Sequence, residues 1–555
     1  MRFFRSPCIL HGAPRSRRPE TGAMSEAEVP VLIVGGGPTG LSASLLLSRY
    51  GVRSLLVERH PGTSVHPKAR GLNVRTLELF RVWGLEPAVR AAAGQLDRAV
   101  DVVWAPTLVA PEAKRMPYGG AGERLAVDSP TTSAACAQDQ LEAVLLEAAR
   151  SYGIGELRFG QELMLLEQGG DGVTTTVVDR TRGEEMSIRA EWVIAADGAQ
   201  STIRSLLGID MVGPGVLFHR MGIYFRANLR EIGTSRPALL YLVAPAEGSG
   251  VIAPVNLADL WLYMAPFHPE HGQRPEDFSE EGCIQLVRSA VGIQDLEVEV
   301  LSALPWSGAA AIAERFRDGR VFLAGDAAHL IPPSGGQAMN VGIQDVHNLA
   351  WKLAGHLGGW AGAGLLKTYE SERRAFALAV NDDVARNVAA GPNAPRLEQF
   401  SNRGRVLGVS YDSSAVVPDG TELLSVANPV VEYVPNARPG SRAPHLWLQQ
   451  GAQHISTLDL YDTQFVLLSG AAGEAWCRAG EQVAACLGIP LRCYAVGPSG
   501  PLIDAAGTWP SLYGVGPDGA VLVRPDGHVA WRAQTADASP AARLTAAFRH
   551  ILSLD

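Results

Sequence analysis

Residues 29 to 58 constrain the fold more than any other stretch of the chain. Val29 to Val34 is an apolar run suited to a buried strand, and it leads into Gly35-Gly36-Gly37-Pro38-Thr39-Gly40. A helical pattern follows through Leu41, Leu45, Leu46 and Tyr50, and Gly51 ends it. A second apolar run, Ser54 to Val57, closes at Glu58. Gly35, Gly37 and Gly40 satisfy GxGxxG: a tight turn, close backbone approach to a pyrophosphate, and close helix packing. The helix opening at Pro38 and Thr39 offers free N–H groups and a partial positive charge to that anion. Glu58 stands about 20 residues on, where a carboxylate accepts hydrogen bonds from a ribose diol. A glycine-rich turn by itself is common. With a strand before it, a helix after it and an acid ending the next strand, this one indicates a dinucleotide site. The unit belongs to a doubly wound α/β fold with parallel strands buried on both faces.

The chain has 555 residues, more than one ordinary core, so several domains are expected. No apolar run reaches the length of a membrane span, and a net charge of -9 argues against a nucleic-acid partner. The six cysteines, Cys8, Cys136, Cys283, Cys477, Cys486 and Cys493, form no CxxC pair and no metal cluster. They are read as reduced structural thiols of a cytoplasmic protein, with no metal site expected. Residues 1–28 are expected to be a disordered tail: Arg2, Arg5, Arg15, Arg17 and Arg18 sit among Pro, Ser and Gly. The hydrophobic region that should follow a twin-arginine signal is missing, and Met24 offers an alternative start.

Further along, Gln138 to about Tyr152 reads as a helix, and Val173–Val178 and Ile188–Ile194 as strands. From His219 to about Phe267 short strands dominate, which indicates a second, antiparallel sheet. A buried strand at Val321–Ala324 and helices over about 342–358 and 366–389 return to the first fold. The expected domains are 29–205 with 310–390, an interleaved sheet domain at 206–309, a linker at 391–440 and an α/β domain at 441–555. The linker is read from Pro418-Asp419-Gly420 and from four prolines between Pro429 and Pro444.

Two more loops follow strands at the sheet edge where ligands of open α/β folds sit. One is Asp197-Gly198-Ala199-Gln200-Ser201-Thr202-Ile203-Arg204; the other is Gly325-Asp326-Ala327-Ala328-His329. Either aspartate alone would be an ordinary turn residue. In this order and spacing the three motifs resemble the single-component (class A) FAD-dependent aromatic hydroxylases, the family of para-hydroxybenzoate and phenol hydroxylase. The resemblance covers about residues 29 to 390 and matches Asp197, Gly198, Ser201 and Arg204 in the middle motif.

It implies that the first loop, with Glu58 and Arg59, holds the ADP part of FAD. It further implies that Asp197 serves FAD and the pyridine nucleotide, and that Gly325 and Asp326 bind the ribitol chain. Gln138 corresponds to a glutamine beside the ribitol and pyrophosphate, although its plain reading is a solvated helix start. His66-Pro67-Lys68-Ala69-Arg70-Gly71 resembles the loop that crosses the isoalloxazine ring, with Arg70 or Lys68 facing it. In Pro332-Pro333-Ser334-Gly335-Gly336-Gln337-Ala338-Met339-Asn340 a rigid loop precedes a helix. The N–H groups around Gly336, Met339 and Asn340, with the helix dipole, would point at flavin N1–C2=O.

Residues 52 to 85 are similar to the aromatic polyketide hydroxylases of the tetracenomycin, anthracycline and angucycline kind, which carry a C-terminal thioredoxin-like domain. Without a CxxC, redox chemistry is not expected there. The resemblance implies a fold like that of para-hydroxybenzoate hydroxylase and an NADPH- or NADH-dependent reaction. On that resemblance, reduced flavin and O2 would give a C4a-hydroperoxide that hydroxylates a polycyclic aromatic substrate held against the 219–267 sheet. A homodimer is compatible with it. Baeyer–Villiger oxygenation of a ketone, or flavin binding without turnover, remains open. His219, His329 and Tyr224 are candidate bases by chemistry alone, and none is assigned.

Overall fold

The computed structural model of the chain describes residues 26–99, 101–117, 127–245, 248–333, 335–389 and 402–554. Most of the expected tail, with Met24, and residues 390–401, Ser334 and Cys8 lie outside the described residues.

Five parallel strands form the heart of the first unit, in the order Val321–Leu323, Glu185–Ala195, Glu26–Val34, Ser54–Glu58, Glu156–Phe159. Val31, Leu32, Ile33, Leu55, Leu56 and Val57 are fully buried, as continuous apolar runs require when helices cover both faces. The helix Pro38–Arg49 packs on the helix Ala338–Leu357. Because the strands are parallel and in register, Val34, Glu58, Ala195 and Leu323 all end at one edge. That topology alone gathers the glycine loop, Glu58, Asp197 and Asp326.

The second sheet has eight strands and is more interleaved than the sequence indicates. Asp101–Ala105 and Lys114–Pro117, which lie inside the stretch assigned to the first domain, join it beside Leu240–Val243. Met211–Arg226 begins ahead of the strand-rich stretch expected from His219, and Glu299–Ala313 runs past the expected domain end at 309, with register shifts at Val212/Gly215 and Val216/Phe218. Periodicity marks a strand but not its partner, and those shifts break the alternation that would have marked the strand's full length. Ile223, Phe225, Trp261 and Tyr263 point to one face and form a core with Cys283 and Val287 of the helix Glu280–Val291. The neighbours in alternation, Tyr224, Leu262, Val251 and Met264, take the opposite face.

In the C-terminal unit Phe465–Gly470 runs parallel to Leu491–Gly497 and antiparallel to Ala520–Val523, with Val529–Ala533 outside. The helices Glu474–Leu487 and Pro540–Ile551 pack together over this sheet. The arrangement is thioredoxin-like. The segment from 402 to 440, expected to be a linker, is packed. Val406, Leu407 and Tyr433 bury against Val74, while Val409 and Tyr411 join Phe376 and Val380. Proline fixes φ without preventing burial, so proline density signals rigid loop rather than loose chain here. Trp351, Ala361 and Leu365 of the first unit share one core with Phe465, Trp476 and Phe548. Buried ion pairs reinforce this contact: Arg442 with Glu78, and both Lys352 and Arg524 with Glu372.

Candidate active site

At the shared strand edge, Gly35 has φ +108°, and a Cβ there would overlap the Ala196 carbonyl of the Asp197 loop. A Cβ on Gly40 would overlap the Gly35 carbonyl, so helix and loop touch as the motif requires. Gly37 differs: nothing lies within 4 Å of its Cβ position, and it caps the helix without a side-chain hydrogen bond. Space is therefore open beside Gly37, at the start of the helix. Glu58 accepts the Gly36 N–H at 2.6 Å and the His60 N–H at 2.8 Å, so it ties the glycine loop to its own strand end. Arg59 is exposed beside it.

Asp197 accepts Ser201 Oγ–H at 2.6 Å and the Ile203 N–H at 3.1 Å, capping the short helix Thr202–Leu206. Burial pushes its carboxyl up, against the pull of the Ser201 hydrogen bond. Arg204, matched to the middle motif from sequence without an assigned role, donates to the Ala327 carbonyl at 3.0 Å and the Ala199 carbonyl at 2.8 Å. It thus locks the two aspartate loops together. Gly325 turns at φ +60°, and a Cβ there would lie 2.6 Å from Thr39 Oγ1. The Asp326 carboxylate accepts no hydrogen bond from the described residues. It is open to solvent, yet so much protein crowds around it that its carboxyl is pushed up, with His329 and Lys68 pulling the other way. This is the environment of a group facing into a concave cleft.

Asn340 bolts two loops together. Its Nδ2 donates to the Gly71 carbonyl at 2.9 Å and the Gly336 carbonyl at 2.7 Å, and its Oδ1 accepts the Asn73 N–H at 3.0 Å. Gly336, at φ +61°, makes the turn, and Met339 is half-buried against the main core. The helix Ala338–Leu357 begins with no side-chain cap and no acid in its first turn. Gln138 is engaged with protein: Oε1 accepts the Ala69 N–H at 3.2 Å and Nε2 donates to Glu142 at 2.7 Å. Gln138 therefore shapes the 66–71 loop. Arg70 is buried and donates Nη1–H to the Pro254 carbonyl at 3.0 Å, while its Nη2 has no partner. Desolvation pulls this guanidinium down to about 10. A buried cation left unpaired is costly, so the site calls for an anionic or carbonyl partner there.

Of the three candidate bases, His329 is fully buried behind the cleft, 2.6 Å from Asp345, and serves structure. His219 Nδ1 lies 2.8 Å from Ser307 Oγ. Tyr224 meets the His66 ring edge-on at 5.8 Å, and His66 Nδ1 lies 3.1 Å from Ser302 Oγ. Burial, with Lys68 and Arg70 nearby, pulls His66 down, whereas burial pushes Tyr224 up; both are therefore uncharged near neutral pH. Sequence reasoning placed His66 in a loop and missed Ser302, because their contact joins residues far apart in the chain.

A family model described as an FAD binding domain matches residues 28–384, and one described as an aromatic-ring hydroxylase C-terminal domain matches 436–553. Aklavinone 12-hydroxylase RdmE of Streptomyces purpurascens is 39% identical over 541 residues, covering 95% of this chain and 100% of its own. Tetracenomycin A2 monooxygenase-dioxygenase of Streptomyces glaucescens is 39% identical over 559 residues, covering 96% and 98%. The crystal structure of the flavin-dependent monooxygenase PieE, in complex with FAD and substrate, superposes with a TM-score of 0.89. It is 34% identical, with 95% of this chain and 99% of that one covered.

The chain belongs to the FAD-dependent aromatic hydroxylases.

The residues present fit that family's cofactor. Two helix N-termini without caps, the open space at Gly37, the unpartnered Asp326 carboxylate and the orphaned Nη2 of Arg70 are complementary to pyrophosphate, ribitol and flavin carbonyl groups. In this hydroxylase the described residues include no helix long and apolar enough to cross a membrane.

Proposed function

We propose that the chain uses NAD(P)H and O2 to hydroxylate a polycyclic, polyketide-like aromatic molecule bound on the open face of the second sheet. The observation that carries this reading is a single junction. The 66–71 loop of the flavin unit meets that face through His66 on Tyr224 and Ser302, and through Arg70 on Pro254. Leu240, Leu242, Val251 and Met264 continue the face as half-buried apolar surface, whose chemistry suits the stacking of a fused ring system. Bound FAD supplies the two-electron chemistry that takes reducing equivalents from NAD(P)H and activates O2.

The chain's own residues do the rest. Gly35, Gly37, Pro38, Thr39 and Gly40 form the pyrophosphate seat, which offers the N–H groups of Gly37, Thr39 and Gly40, with Glu58 and Arg59 toward the adenosine. Asp197 braces the junction of the loops, Gly325 and Asp326 receive the ribitol hydroxyls, and Gln138 holds the 66–71 loop in place. Arg70 and the N–H groups about Gly336, Met339 and Asn340 stabilise negative charge on the ring system. His66, uncharged at neutral pH, is placed to accept a phenolic proton beside Tyr224. A cytoplasmic location goes with this reading, supported by the sparse cysteines.

The test is a substrate screen of the purified yellow protein with NADPH and NADH in turn. Polycyclic phenols should accelerate NAD(P)H oxidation and gain one oxygen atom by mass spectrometry. A panel that binds and changes the flavin spectrum, yet gains no oxygen, would count against hydroxylation.

A further inference from the structure

A buried polar line runs behind the Gly325–Asp326 loop. Asp345, fully buried in the helix Ala338–Leu357, accepts the Gly325 N–H at 3.1 Å. The same Oδ2 faces His329 Nε2 at 2.6 Å, and Oδ1 accepts Arg373 Nε–H at 2.8 Å. Arg373 donates onward to the Tyr411 hydroxyl at 3.0 Å and to the Val341 carbonyl at 3.2 Å. Tyr411 stacks on His528, with ring centroids 4.2 Å apart and planes at 26°. Arg524 lies 5.3 Å from the same ring. Both Arg524 and His528 belong to the turn joining Ala520–Val523 to Val529–Ala533 in the thioredoxin-like domain.

We propose that Asp345 is a positioning residue for the flavin. It fixes the left-handed turn at Gly325 that aims Asp326 into the cleft, and the Arg373–Tyr411 line makes the thioredoxin-like domain part of that support. The proposal rests on FAD occupying the cleft. A charged acceptor holds a backbone N–H more firmly than a neutral one, and Arg373 on the second oxygen keeps Asp345 charged in its dry setting. The turn also has little room to drift, because Thr39 fills the space beside Gly325 and beside Gly342. A displaced Gly325 would therefore disturb the start of the pyrophosphate helix as well.

The experiment titrates FAD into flavin-free protein and follows the quenching of flavin fluorescence, with the melting temperature of each flavin-free variant measured alongside. Asp345→Asn keeps the side-chain shape and an acceptor oxygen but loses the charge. Its FAD dissociation constant should rise about tenfold, the equivalent of about 1.4 kcal/mol. Tyr411→Phe keeps the stack on His528 and loses only the hydroxyl, and should weaken FAD by about threefold, a fraction of one such bond. A purely structural role would lower the melting temperature and leave FAD affinity alone. The decisive comparison is a cycle with Asp326→Ala. Once Asp326 is gone, adding Asp345→Asn should weaken FAD by less than about twofold more, because the two act on one contact. A dissociation constant for Asp345→Asn within about twofold of wild type, or full additivity with Asp326→Ala, overturns the proposal. If Asp345→Asn does not fold, the cycle of Tyr411→Phe with Asp326→Ala decides in the same way. Wild-type protein that fails to bind FAD would instead overturn the cofactor reading itself.

Discussion

The contact between the first unit and the thioredoxin-like domain turns on Glu78 and Arg442, both fully buried at their charged ends. Arg442 presents two nitrogens to the carboxylate, Nε at 3.0 Å and Nη2 closer still, and Arg75 adds Nη1 at 2.9 Å. Glu78→Gln would leave Arg442 buried with a neutral partner. Breaking one side of a buried pair costs about 3–5 kcal/mol, far above the effect of an exposed pair such as Glu474 with Arg478. Arg442 also donates to Tyr433 and to the Asp128 carbonyl, which lowers the expected loss toward about 3 kcal/mol. The assay is urea unfolding followed by tryptophan fluorescence, since Trp351, Trp476 and Trp531 sit in the core shared by the two units. Replacing both partners, Glu78→Leu with Arg442→Met, should cost much less than Glu78→Gln alone, because no charge is stranded. A loss under about 1 kcal/mol for Glu78→Gln, or a double variant as unstable as the single one, would refute the reasoning.

Acid should destabilise the protein early. Burial pulls His347 and His528 down to about 3, so the folded form refuses protons that the unfolded chain accepts below about 6.5. Their stabilising contribution is full above that pH and falls by about 1.4 kcal/mol per histidine per unit as pH drops toward 4. Denaturant melts across that range should show the slope, and, because burial also pulls His445 down to about 4, His528→Gln should remove about a third of it. Asp326→Ala removes the acceptor for a ribitol hydroxyl and should cost about 1–3 kcal/mol of FAD affinity; unchanged flavin retention would place the ribitol elsewhere. Replacing Cys477, Cys486 and Cys493 together by serine should leave hydroxylation and its coupling to NAD(P)H nearly intact. A folded, FAD-loaded triple variant that no longer hydroxylates would give those thiols a place in the reaction.

Much of the flavin unit was legible because its determinants are local. Gly40 answers to the Gly35 carbonyl within the same turn, and the parallel edge follows from strand direction once strand, loop and helix alternate. The helix Gln138–Ser151 was legible for the same reason, since it starts and stops where its apolar pattern does. What stayed hidden depends on distant partners. Asp101–Ala105 has strand texture, but nothing in it names Leu240–Val243 as its neighbour. Cys477 and Cys493 are far apart in sequence, yet the helix Glu474–Leu487 lies over the strand Leu491–Gly497 and brings their thiols together. Contact with Cys493 and then Ser469 pulls Cys477 down to about 7. Asp345 and Lys352 left a trace, as charged residues inside an apolar helix are buried only when paired. Their partners Arg373, Glu372 and Arg524 could not be named without the fold.

The central claim is insertion of one atom of dioxygen into an aromatic ring at the junction of the 66–71 loop and the second sheet. Turnover of a polycyclic phenol with NAD(P)H under isotope-labelled dioxygen tests it most directly. The expected product is a new phenol carrying one labelled oxygen, with carbonyl groups unchanged by NMR. Product labelled from water, a labelled lactone in place of the phenol, or NAD(P)H oxidised with no labelled product would contradict it.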